Sequence, residues 1–141
     1  MKFYIDTSVL VAYYCPEPLS ERVEEFLTSH VRPCISALTE VELFSALSRK
    51  VREGGMNRKD ARRVIAQFIS HVDGNFYDNL TVEQHHYRLA RDWIGLFEPA
   101  LKSLDALHLA VASSEGLTMV TADGSLSKSA KALGIDSILL E

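Results

Sequence analysis

Four carboxylates stand where a chain could gather them for chemistry: Asp6, Glu42, Asp105 and Asp123. Clustered carboxylates repel and raise one another's pKa unless a cation neutralises them. Hard, oxygen-liganded divalent ions do this, so Mg²⁺ or Mn²⁺ is the expected cofactor, keeping several of its waters. Such an ion lowers the pKa of a bound water and stabilises charge on a phosphoryl oxygen, the two demands of phosphodiester hydrolysis. Each acid also has a plainer role open to it. Asp6 suits a cap of the turn Asp6-Thr7-Ser8, and Thr39-x-x-Glu42 reads as a capping box. Asp105 suits the dipole of a first helical turn, and Asp123 before Gly124 suits ordinary turn chemistry. What sets the chemical reading apart is a shared location, which depends on the elements that carry the acids.

Those elements alternate. Phe3-Tyr4-Ile5 is a short β-prone run that stops at Asp6. Helical spacing begins at about Ser20, with Val23, Phe26 and Leu27 on one face. Pro33-Cys34-Ile35 reads as a buried strand, and Ser36 to Glu53 as a helix turning Leu38, Val41, Phe44 and Leu47 inward until Gly54-Gly55 ends it. Asn57 opens the next helix, with Asp60 in a capping-box-like position and Val64, Ile65, Phe68, Ile69 and Val72 as the apolar face. After the break at Asp73-Gly74-Asn75, Asn79 to Val82 reads as a strand and Glu83 to Phe97 as a helix. Ser103 is placed as the cap of a helix over Leu104 to Glu115, closed by Gly116. Leu117 to Thr121 is the clearest strand and runs into Ala122-Asp123-Gly124; a helix over Ser127 to Leu133 and a strand over Ser137 to Leu140 complete the chain. Alternating strands and helices imply right-handed crossovers, hence one three-layer α/β/α domain over 1–141 with a central, mainly parallel sheet. In such sheets sites lie beyond the carboxyl ends of the strands. Asp6 and Asp123 directly follow strands, and Glu42 and Asp105 lie early in helices that begin at that same edge, so all four acids are expected to converge.

Composition narrows the function classes. At 47% hydrophobic and 24% charged, the chain is too apolar for disorder. No apolar run reaches membrane-span length, and Asp6 falls where a signal peptide needs apolar residues, so the expected location is the cytoplasm. Cys15 and Cys34 lack zinc or disulfide-framework spacing and read as reduced, partly buried thiols. His85 and His86, adjacent and so roughly 100° apart on a helix, are expected not to share one metal face and to lie at the surface or its boundary. The net charge of −4 argues against coating nucleic acid by bulk electrostatics. Residues 49–63 nevertheless carry a local charge of +5; a solvated helical face is the plainer account, while a basic patch beside an acidic pocket would suit a phosphodiester. Walker A, GxGxxG and GxSxG motifs are absent.

Four segments stand in order across essentially the whole chain: Phe3-Tyr4-Ile5-Asp6-Thr7-Ser8-Val9-Leu10, Ile35-Ser36-Ala37-Leu38-Thr39-Glu40-Val41-Glu42-Leu43, Leu104-Asp105-Ala106-Leu107-His108-Leu109-Ala110 and Val120-Thr121-Ala122-Asp123. On these segments and their order the chain resembles the PIN-domain ribonucleases, and closely the VapC-type toxins of toxin–antitoxin pairs. The resemblance implies a metal-dependent endoribonuclease acting on RNA, a cognate antitoxin and a homodimer. It maps the metal-centred acids onto Asp6, Glu42, Asp105 and Asp123, with hydroxyls from Thr7 or Ser8 and from Thr121 nearby. It also selects Glu42 over Glu40, because the family's acid directly precedes a leucine. One departure is Leu126, where the family often has an aromatic past the last acid. Two other readings stay open: a catalytically silent PIN-like module that binds RNA or protein, and a housekeeping RNA-processing nuclease. A receiver-like phosphoacceptor is disfavoured, since Asp6 stands alone after its strand and Thr121-Ala122-Asp123 lacks a lysine. Phe76, Tyr77, Trp93 and Phe97 are expected either at a dimer or antitoxin surface or in the core.

Overall fold

Short, fully apolar runs such as Phe3-Tyr4-Ile5 can be buried on both faces, and this is how the fold uses them. The computed structural model of the protein describes residues 2–29 and 32–141. In chain order the elements are β1 (Phe3–Ile5), α1 (Thr7–Tyr14), α2 (Ser20–Thr28), β2 (Cys34–Ser36), α3 (Ala37–Arg52), α4 (Arg58–Asp73), β3 (Asp78–Leu80), α5 (Gln84–Ile94), α6 (Ser103–Ser114), β4 (Thr118–Thr121), α7 (Gly124–Ala132) and β5 (Ser137–Leu139). The strands form one sheet in the order β3-β2-β1-β4-β5, and every pairing is parallel.

Side chains alternate across the sheet as the period of two requires. Phe3, Ile5, Ile35 and Val120 pack on one side with residues of α1 to α4. Tyr4, Cys34 and Met119 pack on the other with residues of α6 and α7, and Trp93 of α5 joins them. The result is a three-layer α/β/α architecture. Chain order reverses direction between β1 and β4, so the carboxyl ends of those two strands flank the crevice where open α/β sheets place ligands.

The departures from expectation have physical reasons. Thr7–Tyr14 is a helix, where the sequence shows only a polar turn at Asp6-Thr7-Ser8 and helical spacing from about Ser20; Val9, Leu10, Ala12 and Tyr14 are all buried, so a helix apolar on most sides shows no amphipathic period to read. In α3 the buried stripe is Thr39, Leu43 and Leu47, whereas Val41 and Phe44, expected inward, are 68% and 38% exposed. The rotation is set at the helix start: Ser36 leaves β2 and forms a reciprocal capping box with Thr39, which turns Thr39 and its i+4 partners onto the sheet. Helix α6 starts at Ser103 with Lys102 at the cap position, so Ser103 is the first helical residue and caps nothing. Helix α7 starts at Gly124, three residues earlier than expected, because Asp123 caps it by accepting from the amides of Ser125 and Leu126. Of the aromatics considered for a surface, Tyr77 is buried, Phe76 and Trp93 pack partly buried against the core, and Phe97 is 83% exposed beside exposed Leu96. Cys15 and Cys34 are free, buried thiols. Among the described residues, no helix is long and apolar enough to cross a membrane.

Candidate active site

Asp6 follows β1 and caps α1, so the capping role foreseen for it is real. It does more than cap. Its side chain is buried, with Ser8 Oγ donating to Oδ1 at 2.6 Å and Thr121 Oγ1 donating to Oδ2 at 2.8 Å. Burial pushes its carboxyl above the ordinary range, against the hydrogen bonds from Ser8 and Thr121 and the nearby His108, which pull it down. Ser8 Oγ also accepts from the amide of Ala122 at 3.0 Å, and Thr121 Oγ1 from the amide of Asp123 at 2.9 Å. These two hydroxyls therefore lace the end of β1 to the end of β4, and Asp6 lies between them.

Glu42 sits on α3 beyond the capping box. Because Thr39 is already the partner of Ser36, the Thr39–Glu42 box foreseen as an alternative does not form. Glu42 is half-buried instead, and its Oε1 accepts from Thr7 Oγ1 at 2.7 Å and from Nε2 of His108. Burial works to raise its pKa, but the His108 hydrogen bond and charge and the Thr7 hydrogen bond outweigh it and hold the carboxyl below its ordinary value. Asp105 lies in the first turn of α6. Its pKa is raised by burial first and then by the charges of Asp123 and Glu42, with His108 and Lys102 opposing. Asp123 is exposed at the start of α7, where Oδ1 accepts from the amide of Ser125 at 2.9 Å.

All four acids thus gather at the carboxyl edge of the sheet, around the β1–β4 crevice. Among the described residues, no lysine or arginine forms an ion pair with any of them. The donors are carboxylate and hydroxyl oxygens, a set that suits a hard divalent cation; burial raises Asp6, and burial followed by the charges of Asp123 and Glu42 raises Asp105. Beside them, a groove of about 900 Å³ is lined by Thr7, Ser8 and Glu42 at one end and by Arg49, Lys50 and Arg52 further along α3. The basic run 49–63 therefore reaches the cavity that holds Glu42, although Lys50 is paired with Glu17 at 3.6 Å.

Two residues of the site went unassigned from sequence, His108 and Tyr4. His108 is 2% exposed and bridges Tyr4 and Glu42, with Nδ1 at 2.6 Å from the Tyr4 hydroxyl. The available signal was its position three residues after Asp105, on the same helical face. Tyr4 carried no such signal, since an aromatic in a β-prone run reads as core; burial pushes its hydroxyl up to about 12, so it stays protonated.

The paired histidines also differ from expectation. His86 is buried, its ring lies 4.0 Å from that of His85, and His85, His86 and Glu115 are, among the described residues, the group whose metal-ligating atoms fall within 4.8 Å of one another. They can share one face after all. Yet Nδ1 of His86 accepts the amide of Glu83 at 2.9 Å, so the neutral ring carries its proton on Nε2, which faces Glu115 Oε1 at 3.5 Å. A metal-bound histidine needs that lone pair free and donates from its other nitrogen. The cluster therefore does not read as a metal centre: the Nε2 of His86 that would have to ligate carries the ring proton and, among the described residues, it has no hydrogen-bond partner.

Comparison with known proteins identifies the family. The PIN domain family matches residues 3–132. The chain is 32% identical over 135 residues to Ribonuclease VapC46 of Mycobacterium tuberculosis, covering 94% of this chain and 92% of that one. Among solved structures, VapC20 of Mycobacterium tuberculosis, a Sarcin-Ricin loop cleaving toxin, superposes with a TM-score of 0.74 at 17% identity over 98% of this chain and 99% of that one. A toxin–antitoxin complex from Klebsiella pneumoniae superposes with a TM-score of 0.67 at 14% identity, covering 100% and 98%. The chain belongs to the PIN-domain family.

Proposed function

We propose that the protein is an endoribonuclease of the VapC type, a toxin that hydrolyses RNA phosphodiester bonds in the cytoplasm with Mg²⁺ or Mn²⁺ and is held in check by a cognate antitoxin. The observation that carries the reading is the gathering of Asp6, Glu42, Asp105 and Asp123 at one sheet edge with, among the described residues, no lysine or arginine ion-paired to any of them. Whole-chain similarity to a VapC ribonuclease supports the same conclusion. Asp6 and Asp105 would be the principal metal ligands, with Glu42 and Asp123 completing the pocket directly or through waters. Bound there, the ion supplies Lewis acidity and a water of lowered pKa. The protein's own groups do the rest. Ser8 and Thr121 hold Asp6 by both oxygens, and Thr7 holds Glu42. Arg49 and Arg52 offer the groove positive charge for the phosphate backbone, while Lys50 is paired with Glu17 on its wall. The exposed Leu96 and Phe97 mark a candidate surface for a second copy or the antitoxin.

The test is cleavage of a structured RNA by purified protein. Cleavage should require Mg²⁺ or Mn²⁺, stop on EDTA, and fall by about a hundred-fold or more in Asp6→Asn, the scale of losing an electrostatic group at the transition state. Wild-type rates from Asp6→Asn would refute the assignment.

A further inference from the structure

We propose that His108, oriented by Tyr4, is a positioning residue for Glu42. The proposal rests on the reading above, in which Glu42 belongs to the metal-centred acids. Each ring nitrogen of His108 has one partner: Nδ1 meets the Tyr4 hydroxyl at 2.6 Å, and Nε2 meets Glu42 Oε1. An ionised carboxylate only accepts, so Nε2 is the donor. The other nitrogen, Nδ1, is held by the Tyr4 hydroxyl, which donates to it on the neutral ring and accepts from it on the protonated one. The Tyr4 oxygen in turn lies 2.8 Å from Ser36 Oγ and 3.3 Å from Thr39 Oγ1. The chain of hydrogen bonds thus runs from the start of α3 through β1 and α6 and, in either charge state of the ring, ends in a donor to the carboxylate of Glu42.

Two features separate this chain from ordinary core packing. The network ends on a half-buried acid that lines the groove rather than wholly within the core. Moreover, His108 and Thr7 both donate to Oε1, which pins the carboxylate by one oxygen and leaves Oε2 to other partners. Histidine and hydroxyl groups behind a ligating carboxylate set its orientation, and their loss costs metal affinity even when the ligands themselves remain.

The test is Mn²⁺ binding by isothermal titration calorimetry, with melting in EDTA measured on the same samples. His108→Leu should weaken Mn²⁺ binding by about ten- to hundred-fold. Tyr4→Phe keeps the ring and removes only the hydroxyl; it should weaken binding by about three- to ten-fold, the worth of one neutral hydrogen bond. His108→Gln, whose amide can still donate to Glu42, should recover most of the affinity lost in His108→Leu. RNA cleavage should follow the same order. Tyr4→Phe with wild-type Mn²⁺ affinity would overturn the proposal, including when His108→Leu fails to fold. A lowered melting temperature with unchanged affinity would likewise reduce the network to a structural one. A wild-type protein that bound no Mn²⁺ and cleaved no RNA would instead overturn the metal-nuclease reading, and this proposal with it.

Discussion

The fold contains two tyrosine–histidine clusters on opposite sides of the sheet, one with a half-buried histidine and one with a buried histidine, and they end differently. In one, the Tyr14 hydroxyl bonds to His71 Nδ1 at 2.7 Å and to the Tyr77 hydroxyl at 2.6 Å. Tyr13, Phe68 and Phe76 surround these groups with ring contacts, and burial keeps both tyrosine hydroxyls protonated and pushes His71 toward its neutral form. Its hydrogen bonds satisfy one another. In the second cluster, Tyr4 and His108 make the same kind of bond at 2.6 Å, but the far nitrogen of the histidine reaches Glu42. Residue types alone do not distinguish the two. What distinguishes them is the end of the chain of donors, an aromatic core in one case and an acid on a groove in the other.

The comparison can be broken or sharpened by substitution. The largest effect is expected for Glu42→Gln, the end of the open cluster. RNA cleavage should fall by about a hundred-fold or more while the circular dichroism spectrum and cooperative melting persist. Tyr14→Phe, at the centre of the closed cluster, should do the reverse. Denaturant unfolding should show a loss of about 1–3 kcal/mol, as buried partners are left unsatisfied, and cleavage by the folded protein should be unchanged. A cleavage defect there would erase the distinction.

A smaller effect is expected from pH. The folded-state pKa of Asp105 is raised above its ordinary value of 3.8. Between those two values the folded state holds a proton that the unfolded state has lost, so this carboxylate's contribution to stability is full below 3.8 and is lost as pH rises through the folded value. In EDTA, Asp105→Asn should therefore melt at a higher temperature than wild type near neutral pH, and the gap should close as pH falls below 3.8. Melting curves across pH test this, and a constant gap would remove the electrostatic explanation. The smallest effect belongs to the exposed face of α3. Exposed Val41→Ser should change stability by less than about 0.5 kcal/mol, while buried Leu43→Ala should cost about 2–5 kcal/mol by unfolding measurements.

Much of this was legible in the sequence because it follows local periods. Val23, Phe26 and Leu27 at helical spacing, the β-prone runs at Phe3 and Thr118, and the glycines past α3 and α6 each act within a few residues. From these the alternation, the parallel sheet and the edge that gathers the acids all followed. Helix α1 was hidden because burial on most sides erases periodicity. The face of α3 was misread because Val41 and Leu43 are equally apolar, and only the capping box at Ser36 fixes which of them meets the sheet.

The sequence by itself determined the layered fold and the sheet edge at which Asp6, Glu42, Asp105 and Asp123 lie, because strand polarity and crossover handedness are local rules with global consequences. The tertiary structure alone decided how those acids are held. Tyr4, Glu42 and His108 come from three elements, and the hydrogen bonds joining them span 104 and 66 residues of chain. No local period encodes such a pairing; it exists only once β1, α3 and α6 have packed and buried polar groups must find partners.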